Sequence, residues 1–258
     1  MGVLNRFGLD SKVALVTGGA GLFGRQIVRG LAEAGATVFS ASRNPKRTEE
    51  EAKPLRSAGL NVETLELDQS SEQSINQTLT EILRRVGQIN VLVNNAVLRT
   101  MKGWNSSSDD FARSMQVNAT GLFSMTRAFG DQMASQGGGS IINVGSIQGS
   151  VGPDFSLYEG LPMDAPPDYF FHKGGLLQLT RYAAARLGPR GVRVNAISPG
   201  GFLAGQDNTF VARYSSRTFL KRMANDSDLA GVVVFLASDA SAYITGANIP
   251  VDGGYTAL

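Results

Sequence analysis

The stretch Thr17-Gly18-Gly19-Ala20-Gly21-Leu22-Phe23-Gly24 decides how this chain reads. The aliphatic run Lys12 to Thr17 precedes it, and Leu22 to Ala34, of helical period, follows it. Glycines packed between a strand and a helix let a backbone come close to a pyrophosphate. In that reading Gly18 makes the tight turn, Gly21 brings amides to the phosphates, and Gly24 lets the helix pack closely on the strand. A P-loop is excluded, because no Lys-Ser/Thr pair follows.

Working outward, strand-like and helix-like segments alternate. Strands are predicted at Thr37–Ala41, Val62–Leu67, Ile89–Val93, Ser140–Val144, Val192–Ile197 and Asn248–Val251. Helices are predicted at Thr48–Ser57, Glu72–Val86, a long Asp109–Ser135, Pro167–Leu187 and Asp228–Ala237. Alternation of this kind implies right-handed crossovers and a parallel sheet covered on both faces. No repeat or linker divides the chain, so residues 1–258 read as one α/β domain, a Rossmann-type doubly wound parallel sheet. The segment Gly200 to Asn225 fits no period and reads as an irregular, mobile excursion over about 201–225.

Composition excludes more than it asserts. The 31 glycines are well above the usual share of about 7% and carry no period of three. No cysteine is present, which removes disulfides, zinc-thiolate sites and thiol nucleophiles, and one histidine, His172, cannot build a metal site. No metal is expected. The 24 basic and 22 acidic residues nearly balance and form no long basic run, so no nucleic-acid partner is expected. Met1 to Asp10 lacks the apolar stretch of a signal peptide, and the longest apolar run, Val232 to Ala237, is too short to cross a bilayer. No membrane association and a cytoplasmic location are therefore expected.

Further motifs stand in a fixed order. Asn94-Asn95-Ala96-Val97 follows the fourth strand, Val117-Asn118 with Gly121 lies in the long helix, and Ser146-Ile147-Gln148-Gly149 follows the fifth strand. Tyr169 and Lys173, then Asn195-Ala196-Ile197-Ser198-Pro199-Gly200, then Val251-Asp252-Gly253-Gly254 complete the series. Together with the glycine-rich loop these resemble the short-chain dehydrogenase/reductase family over essentially the whole chain. Two positions depart from its commonest form: Leu22 and Val97 stand where glycine is usual. The resemblance implies an NAD(P)-dependent oxidoreductase interconverting a secondary alcohol and a ketone, with Asn118, Ser146, Tyr169 and Lys173 catalytic. It implies cofactor contacts at Gly18, Gly21, Leu22, Phe23, Gly24, Ser42, Arg43, Asp68, Asn95, Ala96, Tyr169, Lys173, Pro199, Gly200 and Phe202. Asn118 would help hold a water linking Lys173 to solvent, and a homotetramer, or else a dimer, is implied.

The chemistry of the pair also follows from the residues. Of six tyrosines only Tyr169 has a lysine four positions on, a spacing that puts both side chains on one helix face. A phenol of pKa about 10 is a poor acid–base group at neutral pH until a neighbouring cation favours its phenolate. Ser146 would donate a hydrogen bond to the substrate oxygen.

Charge bears on which cofactor is used. Enzymes for NAD commonly carry an acidic residue about twenty positions past the glycine loop, yet no Asp or Glu occurs between Glu33 and Glu49. Arg43 stands there instead, with Lys46 and Arg47 close by. A guanidinium grips a 2′-phosphate that a carboxylate would repel, so NADP(H) is expected over NAD(H); a solvated basic turn is the other reading. Asp68 either contacts the adenine side or caps the helix that begins near Glu72.

Ser146 and Tyr169 lie farther apart than is usual in the family, and the inserted segment, about 151–167, carries Asp154, Tyr158, Glu159 and Asp164. Such groups suit a sugar, polyol or sugar acid, with Gln148, Tyr158 and Glu159 as candidate substrate contacts and Arg99, Lys102 and Trp104 as further donors or stacking surfaces. The insertion is otherwise a polar spacer. Competing functions are a 3-oxoacyl-type carbonyl reductase, a nucleotide-sugar epimerase or dehydratase, and a catalytically silent cofactor-binding protein.

Overall fold

A computed structural model describes residues 2–257. Seven strands form one parallel sheet in the order β3-β2-β1-β4-β5-β6-β7. They are β1 (Val13–Thr17), β2 (Thr37–Ser42), β3 (Val62–Glu66), β4 (Val91–Asn94), β5 (Gly139–Val144), β6 (Val192–Pro199) and β7 (Asn248–Val251). All of β1 and β4 is buried, as expected of central strands covered on both faces, whose sequences run apolar without alternation.

The helices are α1 (Leu22–Glu33), α2 (Pro45–Ser57), α3 (Glu72–Val86), α4 (Ser108–Met115), α5 (Leu122–Ser135), α6 (Pro167–Leu187), α7 (Asn208–Arg217) and α8 (Ala230–Ala237). One face of the sheet is covered through Ile27, Leu31, Ala52, Val233 and Leu236 of α1, α2 and α8. The other is covered through Ile75, Ile82, Met125, Phe129, Ala184 and Leu187 of α3, α5 and α6. This is the doubly wound α/β sheet that the alternation predicts. Strand order reverses between β1 and β4, and the crevice at their carboxyl ends is where such sheets bind ligands.

Three expectations are corrected. The long helix over 109–135 is broken into α4 and α5 by a π-helical turn, Gln116–Gly121. The cause is local: Gln69 donates to the Val117 carbonyl (3.0 Å), and Gly121 lies so close to the Gln69 backbone that no side chain would fit. The excursion over 201–225 is not irregular throughout. It contains α7, capped by Asp207 accepting from Thr209 N–H (2.7 Å), and its Phe210 and Tyr214, one turn apart, pack with Ile147, Leu157 and Met223. Lastly, α2 begins at Pro45 rather than Thr48, because Asn44 caps it by accepting from Arg47 N–H (3.1 Å) with proline in the first turn.

Among the described residues, no helix is long and apolar enough to cross a membrane, and no cluster of His, Cys, Asp or Glu is fit to hold a metal ion.

Candidate active site

The glycine-rich loop is pinned from the neighbouring strand. Thr17 Oγ1 accepts from the amides of Asn95 (3.0 Å) and Ala96 (2.9 Å). Asn95 Nδ2 donates back to the carbonyls of Thr17 (2.9 Å) and Gly18 (3.0 Å). Asn95 therefore holds the loop in shape with both its side-chain protons. Gly18 has φ +64°, a conformation that favours glycine, and a Cβ on Gly24 would overlap the Gly18 carbonyl. Gly21 precedes helix α1 and offers it no side-chain cap, so the first helical amides, at Leu22 and Phe23 beside the cleft, are left without a side-chain partner. An uncapped helix start beneath a glycine cradle fits an anionic pyrophosphate.

The cleft encloses about 610 Å³ and runs from Ser42, Arg43, Asn44, Arg47 and Asp68 past Gly18, Gly21, Leu22 and Phe23 to Ala96, Arg99, Gly145, Tyr169 and Lys173. At the first end Ser42 Oγ shares a hydrogen bond with Thr48 Oγ1 (2.7 Å). Arg43 and Arg47 are exposed, line the cleft and enter no ion pair among the described residues. Lys46 does not line it. Asp68 Oδ1 accepts from Ser70 N–H (2.9 Å) and Ser70 Oγ (2.6 Å). The two Ser70 bonds hold the Asp68 carboxyl below the usual carboxylate range. Asp68 is not a helix cap: Ser71 caps α3, accepting from Ser74 N–H (3.2 Å).

At the other end, α6 carries Tyr169 and Lys173 on one face. The Lys173 Nζ lies 5.6 Å from the Tyr169 ring centroid and donates to the Val144 carbonyl at the end of β5 (2.6 Å). The Ser146 hydroxyl, buried and accepting from Gln148 N–H (3.2 Å), reaches the Tyr169 hydroxyl. Burial alone would raise the Tyr169 pKa; the charges of Lys173 and Arg99, with the polar contacts of Ser146 and Arg99, outweigh it and leave the phenol below its ordinary value. Burial, with Arg99 adding to it, lowers the Lys173 ammonium against the opposing pull of Tyr169.

Two residues complete this end. The Arg99 guanidinium stacks 4.8 Å from the Tyr169 ring centroid, and His172 meets the same ring edge-on at 5.2 Å. Burial, then the charges of Lys173 and Arg99, push His172 down to about 3, so it is neutral at physiological pH. The residue types at 99 and 172 carry no motif, which is why spacing did not place them against Tyr169. Asn118 is spent on the loop that carries Arg99: its Oδ1 accepts from Leu98 N–H (2.9 Å), and its Nδ2 donates to the Leu98 carbonyl (2.7 Å) and to Ser114 Oγ (3.0 Å).

The remaining expected residues divide. Tyr158 reaches the Gln148 side chain and feels the charges of Asp164 and Arg99, which places it beside this end of the cleft. Glu159 does not join it; it faces out with its carbonyl on Arg213 (2.7 Å), beside a separate surface hollow. Lys102 and Trp104 are likewise exposed. Pro199 ends β6, Gly200 lines a second cavity of about 430 Å³ with Tyr214, Phe219 and Asp252, and Phe202 packs edge-on against Phe23 at 5.3 Å.

The chain is similar to known proteins over nearly its whole length. The family model described as Enoyl-(Acyl carrier protein) reductase matches residues 20–256. A 3-oxoacyl-[acyl-carrier-protein] reductase from Aquifex aeolicus is 33% identical over 252 residues, covering 95% of this chain and 98% of its own. Among solved structures, a gluconate 5-dehydrogenase from Burkholderia cenocepacia J2315 in complex with NADP and tartrate is 30% identical, with a TM-score of 0.91 and full coverage of both chains. An NAD+-bound xylitol dehydrogenase is also 30% identical, with a TM-score of 0.87, covering 95% of this chain and 99% of its own.

Proposed function

Because the chain belongs to the short-chain dehydrogenase/reductase family and is thus an NAD(P)-dependent oxidoreductase of alcohols and carbonyls, we propose that it interconverts a secondary alcohol and a ketone on a polyol, sugar or sugar acid, preferring NADP(H). The observation that carries the acid–base part is the convergence of Tyr169, Lys173 and Ser146 at one end of the cleft. The glycine cradle and the α1 amides would hold the pyrophosphate, and Arg43 with Arg47 the 2′-phosphate. The bound nicotinamide would supply or accept the hydride. In reduction Tyr169 Oη gives its proton to the carbonyl oxygen while Ser146 Oγ donates a hydrogen bond to the same oxygen. In oxidation the Tyr169 phenolate takes that proton back. Lys173, fixed by the Val144 carbonyl, supplies the charge that keeps the phenolate accessible.

Substrate polarity is supported by Arg99, Gln148 and Tyr158 around Tyr169, and the exposed Phe123, Phe171 and Tyr182 of α5 and α6 support a homo-oligomer, a tetramer first. A second reading, a 3-oxoacyl-type reductase, rests on the Aquifex relative. The test is Tyr169→Phe, which should lower turnover by on the order of 10² to 10⁴ while cofactor affinity stays within a few-fold. A substrate panel in which acyl ketones outpace polyols and sugar acids would favour the second reading.

A further inference from the structure

We propose that Arg99 is a specificity-determining residue that receives a carboxylate of the substrate, so that this site takes hydroxy acids, or their oxo counterparts, whose acid group lies a few carbons from the reacting carbon. This rests on the reading of Tyr169 as the acid–base group and narrows its substrate class.

Geometry carries the inference. The guanidinium lies over the Tyr169 ring at 4.8 Å, against the group that would meet the reacting oxygen. Its backbone is pinned on both sides. Asn118 clasps both backbone groups of Leu98, and Thr100 Oγ1 donates to the Asp110 carbonyl (2.5 Å) ahead of the buried Met101. A long, exposed side chain on such a rigid base loses less freedom when it grips a ligand.

The charge itself is left open. Among the described residues thirteen other arginines enter ion pairs or bind backbone carbonyls, whereas Arg99 enters no ion pair. Asp164, whose charge reaches Tyr158 as that of Arg99 does, has its carboxylate tied to the amides of Ala165 (2.7 Å) and Trp104 (3.3 Å). Lys173 is turned to the Val144 carbonyl. At the Tyr169 end of the cleft, away from Arg43 and Arg47, the planar Arg99 guanidinium suits a carboxylate, which it can hold with two parallel hydrogen bonds. Gln148 and Tyr158, which reach each other, offer further polar groups to hydroxyls along the chain of the substrate.

The test compares an aldonate with the alditol of equal chain length, both with saturating NADP, in the full-length enzyme. Dividing kcat/KM for the acid by kcat/KM for the neutral alcohol cancels whatever Arg99 does to Tyr169 itself. The wild type should favour the acid at least tenfold; Arg99→Ala should lower that ratio by about 10- to 100-fold, chiefly through KM, and Arg99→Lys should restore part of it. An unchanged ratio in Arg99→Ala, a wild-type preference for the alditol, or turnover of neither compound overturns the inference. Tyr169→Phe measured alongside separates the two levels: full activity there refutes the acid–base reading, while an inactive Tyr169→Phe with an unchanged Arg99→Ala ratio refutes only the role of Arg99.

Discussion

The Lys173 ammonium donates to the Val144 carbonyl over 2.6 Å, so the last residue of β5 fixes the charge that faces Tyr169. A lysine is flexible and strongly hydrated. Buried on α6 and tied to the sheet, it becomes a fixed cation at the carboxyl edge of the central strands.

The first prediction concerns pH. Oxidation needs the phenolate, so its rate falls as pH drops through the Tyr169 pKa. Burial raises that pKa; Lys173 and, after it, Arg99 bring it below the ordinary value. His172 also faces the ring but is uncharged, at about 3. Lys173→Met should therefore move the acid limb of kcat/KM to higher pH and cut the rate at neutral pH by on the order of 10² or more. Arg99→Ala should move it the same way by less. A limb that stays in place in Lys173→Met, with the fold confirmed by circular dichroism, would count against Tyr169 as the titrating group.

The second concerns the other end of the cleft. Arg43 and Arg47 line it and enter no ion pair among the described residues. Removing either should weaken NADPH by about 10- to 100-fold in KM, the worth of a charge-assisted pair, and leave NADH within a few-fold. Initial rates with each cofactor decide it. Equal losses for both cofactors would mean that neither arginine reads the 2′-phosphate.

Much of this was legible in the sequence, and the limits have physical reasons. The glycine loop, β1 and α1 are local: a strand, a turn that needs glycine at Gly18, and a helix, all within one short stretch. Tyr169 and Lys173 are separated by one helical turn, so spacing alone placed them on one face. Asn118, on a π-helical turn that its residue type does not announce, meets the backbone of Leu98, the neighbour of Arg99, across 20 positions. The periodic signal of α7 was weak because its buried face is only Phe210 and Tyr214, set among polar residues. The charge of Glu159 suggests a substrate contact, but which way this loop residue faces depends on Arg213 of α7, which holds its carbonyl.

The third prediction follows from the single histidine. Its ordinary pKa is about 6.5 and its folded value about 3, so between these the unfolded chain binds a proton that the native state refuses. Stability from this source is complete above pH 6.5 and is lost as pH falls toward 3, with a slope approaching about 1.4 kcal/mol per pH unit. His172→Gln should flatten that dependence. Urea unfolding of both proteins at pH 7 and pH 5 measures it, and parallel losses in the two would rule out His172 as the source.

The fourth prediction tests Asn118 as a positioning residue. Its amide satisfies both the N–H and the carbonyl of Leu98, and Leu98 precedes Arg99. Asn118→Ala leaves two partly buried backbone groups unpaired, which costs about 1–3 kcal/mol each where water cannot replace the bond. At roughly 2–4 °C per kcal/mol for a chain of this size, the midpoint of thermal unfolding should drop by several degrees. A merely structural loss would stop there. If Asn118 sets the direction of Arg99, Asn118→Ala should also lower the aldonate-to-alditol ratio of kcat/KM at a temperature well below unfolding, and Asn118→Asp, which keeps the acceptor and loses the donor, should fall between it and the wild type. A lowered midpoint with the ratio intact would leave Asn118 a stabilising residue and remove it from any part in specificity.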